Sequence, residues 1–588
     1  MNGSRPRTDT GDDDRSDGIT RRNVLLGLGG SGFAGGGVVS GRLEIADPSP
    51  NAVSRAVDDS FDDPAAVEET VDDLMVDRIG EETPGAIVAV VSSDDTVLTK
   101  GYGTTAIDSQ TPVRADETLF RIGSVAKTVT FTAVMQGVER GILDLDEDVN
   151  TYLAGSPVEV PDTYEDPVTL RHLGTHTAGF GTHLNPGFVD DRDDLTSIEE
   201  ALVENRPERR RPPGDAVAYS NYGTLLAGHV VAEAYGSSFE EYVQSEVFQP
   251  LGMDHSTFVQ PVPDDRPGEL ATPHTVDGGE LTVADPVYTD WWPAGSMSTT
   301  ATDMATFMRA HLGDGTANGT QLLEPETART MHGEQFGRHP AVNGWAYGFW
   351  EDGRPGDDTL THTGGSIHFL SYLVLALEHD VGLFVSYNAR GGDTEVDALQ
   401  AVITDLVEEY DLGFDVSTAD HTTGSAAQQR AERVAGEYGW TWEPESATGE
   451  LTIRLLQATI ESIGGGELTF DMAGVDQQRF VETDPYVYHE RDGHDVLAFD
   501  VEDGDVVRGY RSSDTQFSWE PVPFQERQLV AGGTAGIALA GFLLSMVGWS
   551  GLGAWRWWHR RSDDGSPATD TPPGTDDESV EPKPGDRE

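Results

Sequence analysis

The chain has 588 residues, no cysteine, and 38 Lys+Arg against 103 Asp+Glu, a formal net charge of −65. At about 150 residues per domain the length points to three or four domains, and 37% hydrophobic residues are enough for packed cores. The charge excludes a nucleic-acid partner, because phosphate binding needs a basic face; the lack of cysteine excludes disulfides, Cys-ligated zinc, Fe–S clusters, a thiol nucleophile and a Cys-linked lipid anchor.

Residues 1–20 are polar. A paired Arg then stands in Thr20-Arg21-Arg22-Asn23-Val24-Leu25-Leu26, before a mildly apolar run to about Ser40. This resembles a twin-arginine export signal over residues 1–40. The alternative, a buried helix after a chance Arg pair, fits poorly with Gly27, Gly29, Gly30, Gly32 and Gly35 to Gly37. Residues 41–60 read as a linker.

The body is expected over 61–412. From Pro64 the spacing Val67, Val71, Leu74, Met75, Ile79 predicts a helix with one apolar face. The runs 85–93 and 96–101, split by Ser93-Asp94-Asp95, predict a hairpin. Helices are expected at 124–141, with Gly141 as the stop, and at 222–235, 238–248 and 302–312. The apolar runs 369–377 and 381–387 flank His379-Asp380 as a second hairpin, and 396–410 closes the unit as a helix. This order is α+β, an antiparallel sheet flanked by helices.

Residues 413–430 are polar and aperiodic and read as a linker. Over 431–524 the texture changes to short alternating runs (449–456, 467–471, 480–483, 496–501, 506–510 and 517–519) with Gly/Asp turns every 8–12 residues. That pattern predicts a small all-β barrel or sandwich. Residues 529–555 carry no charge. At about 1.5 Å per residue they span a hydrocarbon core of about 30 Å. Trp549, Trp555, Trp557 and Trp558, with Arg556, Arg560 and Arg561, place the following end inside under the positive-inside rule. One transmembrane helix is therefore expected, with the body outside the cell and residues 556–588 as an acidic cytoplasmic tail. A buried core helix is the competing reading.

Lysine locates the chemistry. Only Lys100, Lys127 and Lys583 occur; the other basic residues are Arg. Lys127 stands three residues after Ser124 at the start of an apolar helix, and no other lysine has a serine at that distance. Positions i and i+3 share a helix face. A serine hydroxyl needs a base to become nucleophilic, and a lysine supplies one when burial lowers its pKa. The helix N-terminus offers free N–H groups to a developing oxyanion. The competing reading is an amphipathic helix with a snorkelling lysine. Tyr219 and Asn221, at i and i+2, face one way from an extended loop. A phenol can relay a proton and an amide can hold a carbonyl. His362-Thr363-Gly364-Gly365 precedes the 369–377 run, and glycine there lets a substrate lie along the strand and receive a backbone N–H. A Tyr-x-Asn alone is also ordinary loop sequence, and a His-Thr-Gly-Gly alone is a weak signal.

Taken together, the three motifs resemble the serine β-lactamase-related hydrolases, in the branch of class C β-lactamases, D-aminopeptidases and esterases. Connecting sequence carries the resemblance too: Val168-Thr169-Leu170-Arg171-His172-Leu173-Gly174-Thr175-His176-Thr177-Ala178-Gly179, Phe248-Gln249-Pro250-Leu251-Gly252-Met253, and Ala294-Gly295-Ser296-Met297-Ser298. The resemblance implies Ser124 as acylated nucleophile, Lys127 as base, Tyr219 as proton shuttle and Asn221 as substrate-orienting amide. It further implies that His362, Thr363, Gly364 and Gly365 bind substrate, with the N–H groups of Ser124 and Gly365 as the oxyanion hole. Class C enzymes have lysine where this chain has His362, and histidine is similar to the D-aminopeptidases. Residues 431–523 resemble a lipocalin-like domain. The acidic, lysine-poor composition resembles proteins of salt-loving archaea, where carboxylates keep the surface hydrated. A cation-binding role for the acids lacks any calcium-loop spacing.

The expected function is hydrolysis of a small amide, peptide or ester through a Ser-Lys acyl-enzyme, with no cofactor and no metal. Its alternative is a β-lactam or peptide binding or sensor module on the same fold. Neither a His-Glu-x-x-His nor a Gly-x-Ser-x-Gly motif competes with this assignment.

Overall fold

The computed structural model describes residues 63–523 and Arg527, apart from short internal stretches, of which the longest are 353–358, 391–401, 413–420 and 446–452. The expected export signal, first linker, membrane span and tail lie outside the described residues, as does most of the 449–456 run. No helix among the described residues is long and apolar enough to cross a membrane.

An antiparallel six-stranded sheet forms the centre of the body. Its order is Trp350–Asp352, Thr359–Gly365, Leu370–Ala376, Val381–Tyr387, Gly85–Val91, Thr96–Gly103. Gly85–Val91 is buried along its whole length. Ile87, Ala89 and Val91 join the core on the helical side, and Ala86, Val88 and Val90 join the core on the other. A strand covered on both faces needs no polar alternation, which is why it reads as an unbroken apolar run. The second face is covered by helix Pro64–Val76 through Val67, Val71 and Met75. Residues 402, 403 and 405–407 of the expected closing helix are helical; its first part lies outside the described residues.

On the first face lie helices Ala126–Glu139, Asn221–Tyr235 and Ala301–Leu312. Ala126–Glu139 is buried on all sides through Gly137. Lys127 therefore does not snorkel from an amphipathic helix. The expected helix over 238–248 is an α-turn, Phe239–Val243, continued by a wider π-turn, Gln244–Phe248.

Two segments are corrected. The sequence places His362-Thr363-Gly364-Gly365 ahead of a strand and assigns it no element; it is itself a strand, Thr359–Gly365, paired with Leu370–Ala376. Threonine and glycine hide its alternation, since packing against the neighbouring turn leaves no room for larger residues. Part of the stretch read as a linker is a helix, Ser425–Val434, which buries Ala427, Ala431 and Val434. Small residues at i and i+4 gave it little apolar weight.

The third body of sequence closes into an eight-stranded antiparallel barrel, from Gly436–Trp440 to Trp519–Pro521 in sequential order. Closure is made by Trp440 opposite Trp519. Eight strands leave an interior that side chains can fill, and Tyr438, Trp440, Phe470, Phe480, Tyr488, Phe499 and Trp519 share one core cluster. That cluster also contains Val217, Tyr219, Trp345 and Trp350 of the body. Sheet and barrel belong to one compact unit.

Candidate active site

Gly123 begins the site. Its φ of +52° and its approach to Gly365, whose carbonyl oxygen a Cβ on Gly123 would meet at 2.9 Å, require glycine. The 3-10 turn Gly123–Val125 that follows lifts Ser124 to the end of strand Thr359–Gly365. Helix Ala126–Glu139 continues from that turn, so Lys127 lies one turn below Ser124, with its Nζ 2.9 Å from Ser124 Oγ.

Lys127 Nζ also donates to the Ala294 carbonyl at 2.7 Å, and Thr130 Oγ1 donates to the neighbouring Pro293 carbonyl at 2.7 Å. These bonds fix the amine with one neutral acceptor. Lys127 is fully buried, and burial holds its ammonium form well below the ordinary lysine range. No carboxylate among the described residues opposes that shift.

Tyr219 lies above the pair. Its ring centroid is 5.0 Å from Lys127 Nζ, and its hydroxyl is within hydrogen-bonding reach of Ser124. Burial raises its pKa above the ordinary phenol value, so it is a neutral O–H at physiological pH. Ser220 caps helix Asn221–Tyr235 by accepting from Gly223 N–H at 3.1 Å. Asn221 is thus the first residue of a helix rather than part of an extended loop. Its side chain nonetheless lines the cleft with Ser124, Gly365 and Tyr219.

His362 is buried, and its Nδ1–H donates to the Thr363 carbonyl at 2.6 Å. Its Nε2 is then an acceptor, with no partner among the described residues. Burial first, and the charge of Lys127 second, push its pKa down to about 3. Thr363 pairs with Tyr372. Gly364 is pressed on the nucleophile turn: a Cβ there would fall 1.9 Å from the Ile122 carbonyl oxygen. Gly365, next along, lines the cleft beside Ser124. The structure places Ser124, Lys127, Tyr219, Asn221 and Gly365 around one cleft, with the His362 ring 6.3 Å from that of Tyr219 between centroids and Gly364 against the nucleophile turn; Thr363 is placed only by its pairing with Tyr372 in the strand.

Sequence reading missed several neighbours. His176, read as a structural motif residue, sits 4.3 Å from Tyr219 between ring centroids. It has a φ of +55°, and its Nδ1 accepts from Ser220 N–H at 3.1 Å. Burial, then Lys127 and His362, hold its pKa well below the ordinary value. The His172 ring instead completes a capping box with Thr169. Trp291 and Trp442 also line the cleft. Trp442 packs in the barrel's own aromatic cluster, and a tryptophan in a barrel-forming segment gives no sign that it also reaches the cleft of the body, so no sequence signal could have found it.

A buried amine whose ammonium form burial disfavours, beside a serine hydroxyl, with a phenol in reach of that hydroxyl and a strand end next to them, can perform acyl transfer. The Beta-lactamase family model matches residues 67–408. Penicillin-binding protein 4 of Amycolatopsis lactamdurans is 30% identical over 339 residues, 53% of this chain and 84% of that protein. Beta-lactamase-like protein 2 of Dictyostelium discoideum is 30% identical over 230 residues, but the chain spans only 41% of its length. The solved structure of SurE superposes with a TM-score of 0.55 at 20% identity, covering 78% of this chain and 99% of that one, and shares the fold.

Proposed function

The chain belongs to the beta-lactamase family and is a serine hydrolase, and from that premise we propose that it cleaves small amides, peptides or esters through an acyl-enzyme on Ser124. Lys127, whose ammonium form burial disfavours, takes the Ser124 proton as Oγ bonds to the substrate carbonyl carbon. The oxyanion that forms is held by the N–H groups of Ser124 and Gly365. The proton passes from Lys127 through the Tyr219 hydroxyl to the leaving nitrogen or oxygen, and the carbonyl–leaving-group bond breaks. Water repeats the sequence and releases the acid. Asn221 orients the substrate. His362 stands where class C enzymes carry lysine; neutral, it attracts a substrate carboxylate less than an ammonium does, which favours peptides and esters over β-lactams.

One observation carries this reading: a fully buried lysine 2.9 Å from a serine, with no carboxylate among the described residues to offset its burial. Such a group is costly unless its neutral form is used. The test is labelling with a fluorophosphonate followed by mass spectrometry. The adduct is expected on Ser124; an unlabelled, folded protein would rule the mechanism out.

We also propose that the body works outside the cell, held by the 529–555 span. The paired Arg21-Arg22, the uncharged stretch and its Trp/Arg flank support this. Cleavage after Lys583 by protease added to intact cells would contradict it.

A further inference from the structure

The barrel enters the cleft. Thr182 N–H donates to the Glu443 carbonyl at 2.9 Å, and Glu445 N–H donates to the Thr182 carbonyl at 3.0 Å. One residue before this pairing, Trp442 lines the cleft beside Tyr219 and Asn221. Trp291 lines the same space from the body, and also the half that holds Ser124 and Gly365. The two indoles are almost wholly buried, at 4% and 6% exposed. Neither indole N–H has an acceptor among the described residues.

Buried donors are normally paired. Two unpaired ones in one cleft, walled by the rings of Tyr219, Tyr222, Trp291 and Trp442 beside Thr182, Ser220 and Asn221, match a ligand with a body that packs on aromatic rings and an acceptor oxygen. The barrel also fixes Tyr219 itself: Tyr219 N–H donates to the Gln516 carbonyl at 3.2 Å, and Thr441 Oγ1 donates to the Val217 carbonyl at 2.6 Å. Trp442 packs on Phe517, 5.6 Å between ring centroids. Adjacent barrel residues therefore hold both the shuttle and the wall.

We propose that Trp442 of the barrel and Trp291 of the body form a specificity subsite for a bulky apolar residue whose own carbonyl or amide oxygen accepts from an indole N–H. The barrel is then part of the active site. The proposal rests on the acyl-transfer reading of Ser124 and names its substrate class: an acylated hydrophobic amino acid or peptide.

The test compares p-nitrophenyl acetate with the p-nitrophenyl ester of N-acetylphenylalanine, each enantiomer, on wild type, Trp442→Ala and Trp442→Phe. Trp442→Ala is expected to lower the ratio of kcat/KM for the bulky over the small donor by about tenfold or more. Trp442→Phe keeps a ring without the N–H and is expected to lower it by about threefold. Because Trp442 also packs within the barrel, Trp442→Phe carries the test if Trp442→Ala fails to fold. A second arm needs no turnover. N-acetylphenylalanine amide is titrated calorimetrically into Ser124→Ala and into Ser124→Ala/Trp442→Phe, with weaker binding expected in the second. An equal loss for both donors, equal affinity in the two proteins, or no binding at millimolar amide overturns the subsite. If wild type takes no fluorophosphonate on Ser124 yet binding depends on Trp442, the acyl-transfer reading fails and the subsite stands.

Discussion

Gly364 gives the sharpest test of how the oxyanion site is built. A Cβ there falls 1.9 Å from the Ile122 carbonyl oxygen, whereas ordinary contact begins near 3.4 Å, so strand and turn must part by about 1.5 Å. The oxygen has little freedom to retreat. It accepts from Val125 N–H at 3.3 Å, and Ile122 N–H is bonded to the Met297 carbonyl at 3.1 Å. The displaced strand end carries Gly365 and its N–H. A misplacement of about 1 Å costs roughly 10²-fold, and loss of one oxyanion donor 10²–10³-fold. Gly364→Ala is therefore expected to lower kcat/KM on a short-chain chromogenic ester by about 100- to 1000-fold, with an overpacking cost of about 1–3 kcal/mol in thermal unfolding. Gly236→Ala is the control. Gly236 has a φ of +65° with nothing within 4 Å of its Cβ position, so it is expected to cost about 1–2 kcal/mol of stability and leave kcat/KM within about twofold. A folded Gly364→Ala protein that retains roughly a third of wild-type activity refutes both the oxyanion assignment and the close contact.

Two further outcomes are expected. Lys127→Met removes the base and an uncompensated buried amine together: kcat/KM should fall by about 10³-fold or more, while the melting temperature at pH 7 holds or rises. The sign of the pH dependence follows from burial: the unfolded lysine binds its proton up to its ordinary value of 10.5, while the folded one releases it at lower pH. Lys127 thus makes stability increase with pH from its depressed folded pKa up to about 10.5, and denaturant melts of Lys127→Met should lack that slope. Self-repulsion among 103 acidic residues is screened by salt, so melting temperature should climb between 0.1 and 2 M KCl; a flat profile would contradict the reading of the acidity as adaptation to salt.

Legibility differed by element for physical reasons. Helix Pro64–Val76 and the two hairpins were readable because apolar periodicity and turn residues coincide there. Strand Thr359–Gly365 was not, because contact with the nucleophile turn demands glycine at 364 and strips the strand of β-formers. Ser425–Val434 was hidden because alanines bury little area. At the site, Ser124 and Lys127 stood out through the scarcity of lysine, and Tyr219, Asn221 and the 362–365 strand through their order behind it. His176 and Trp442 could not stand out. Their roles come from long-range pairing, His176 through Ser220 N–H and Trp442 through the junction of barrel and body, and neither has a local pattern.

The acidity and the mechanism make opposite electrostatic demands. A base that must stay neutral is undone by a nearby carboxylate, which favours its ammonium form. In a chain with 103 acidic residues, the groups around Lys127 are Ser124, Tyr219, the Ala294 carbonyl and two neutral histidines, His176 and His362. Burial separates the two demands: even the buried acids Asp303, Glu482, Asp495 and Asp514 are not among the groups that act on the amine, which has uncharged polar groups around it. Asn221→Asp tests this separation directly. It changes an amide oxygen or nitrogen for a carboxylate oxygen in the cleft beside Ser124, with almost no change in volume. A carboxylate facing the site should raise the Lys127 pKa, so the acid limb of the kcat/KM profile should move up by about one unit or more, in addition to any loss from weaker substrate orientation. A lowered plateau with an unmoved limb would mean that Lys127 is not the group whose deprotonation starts the reaction.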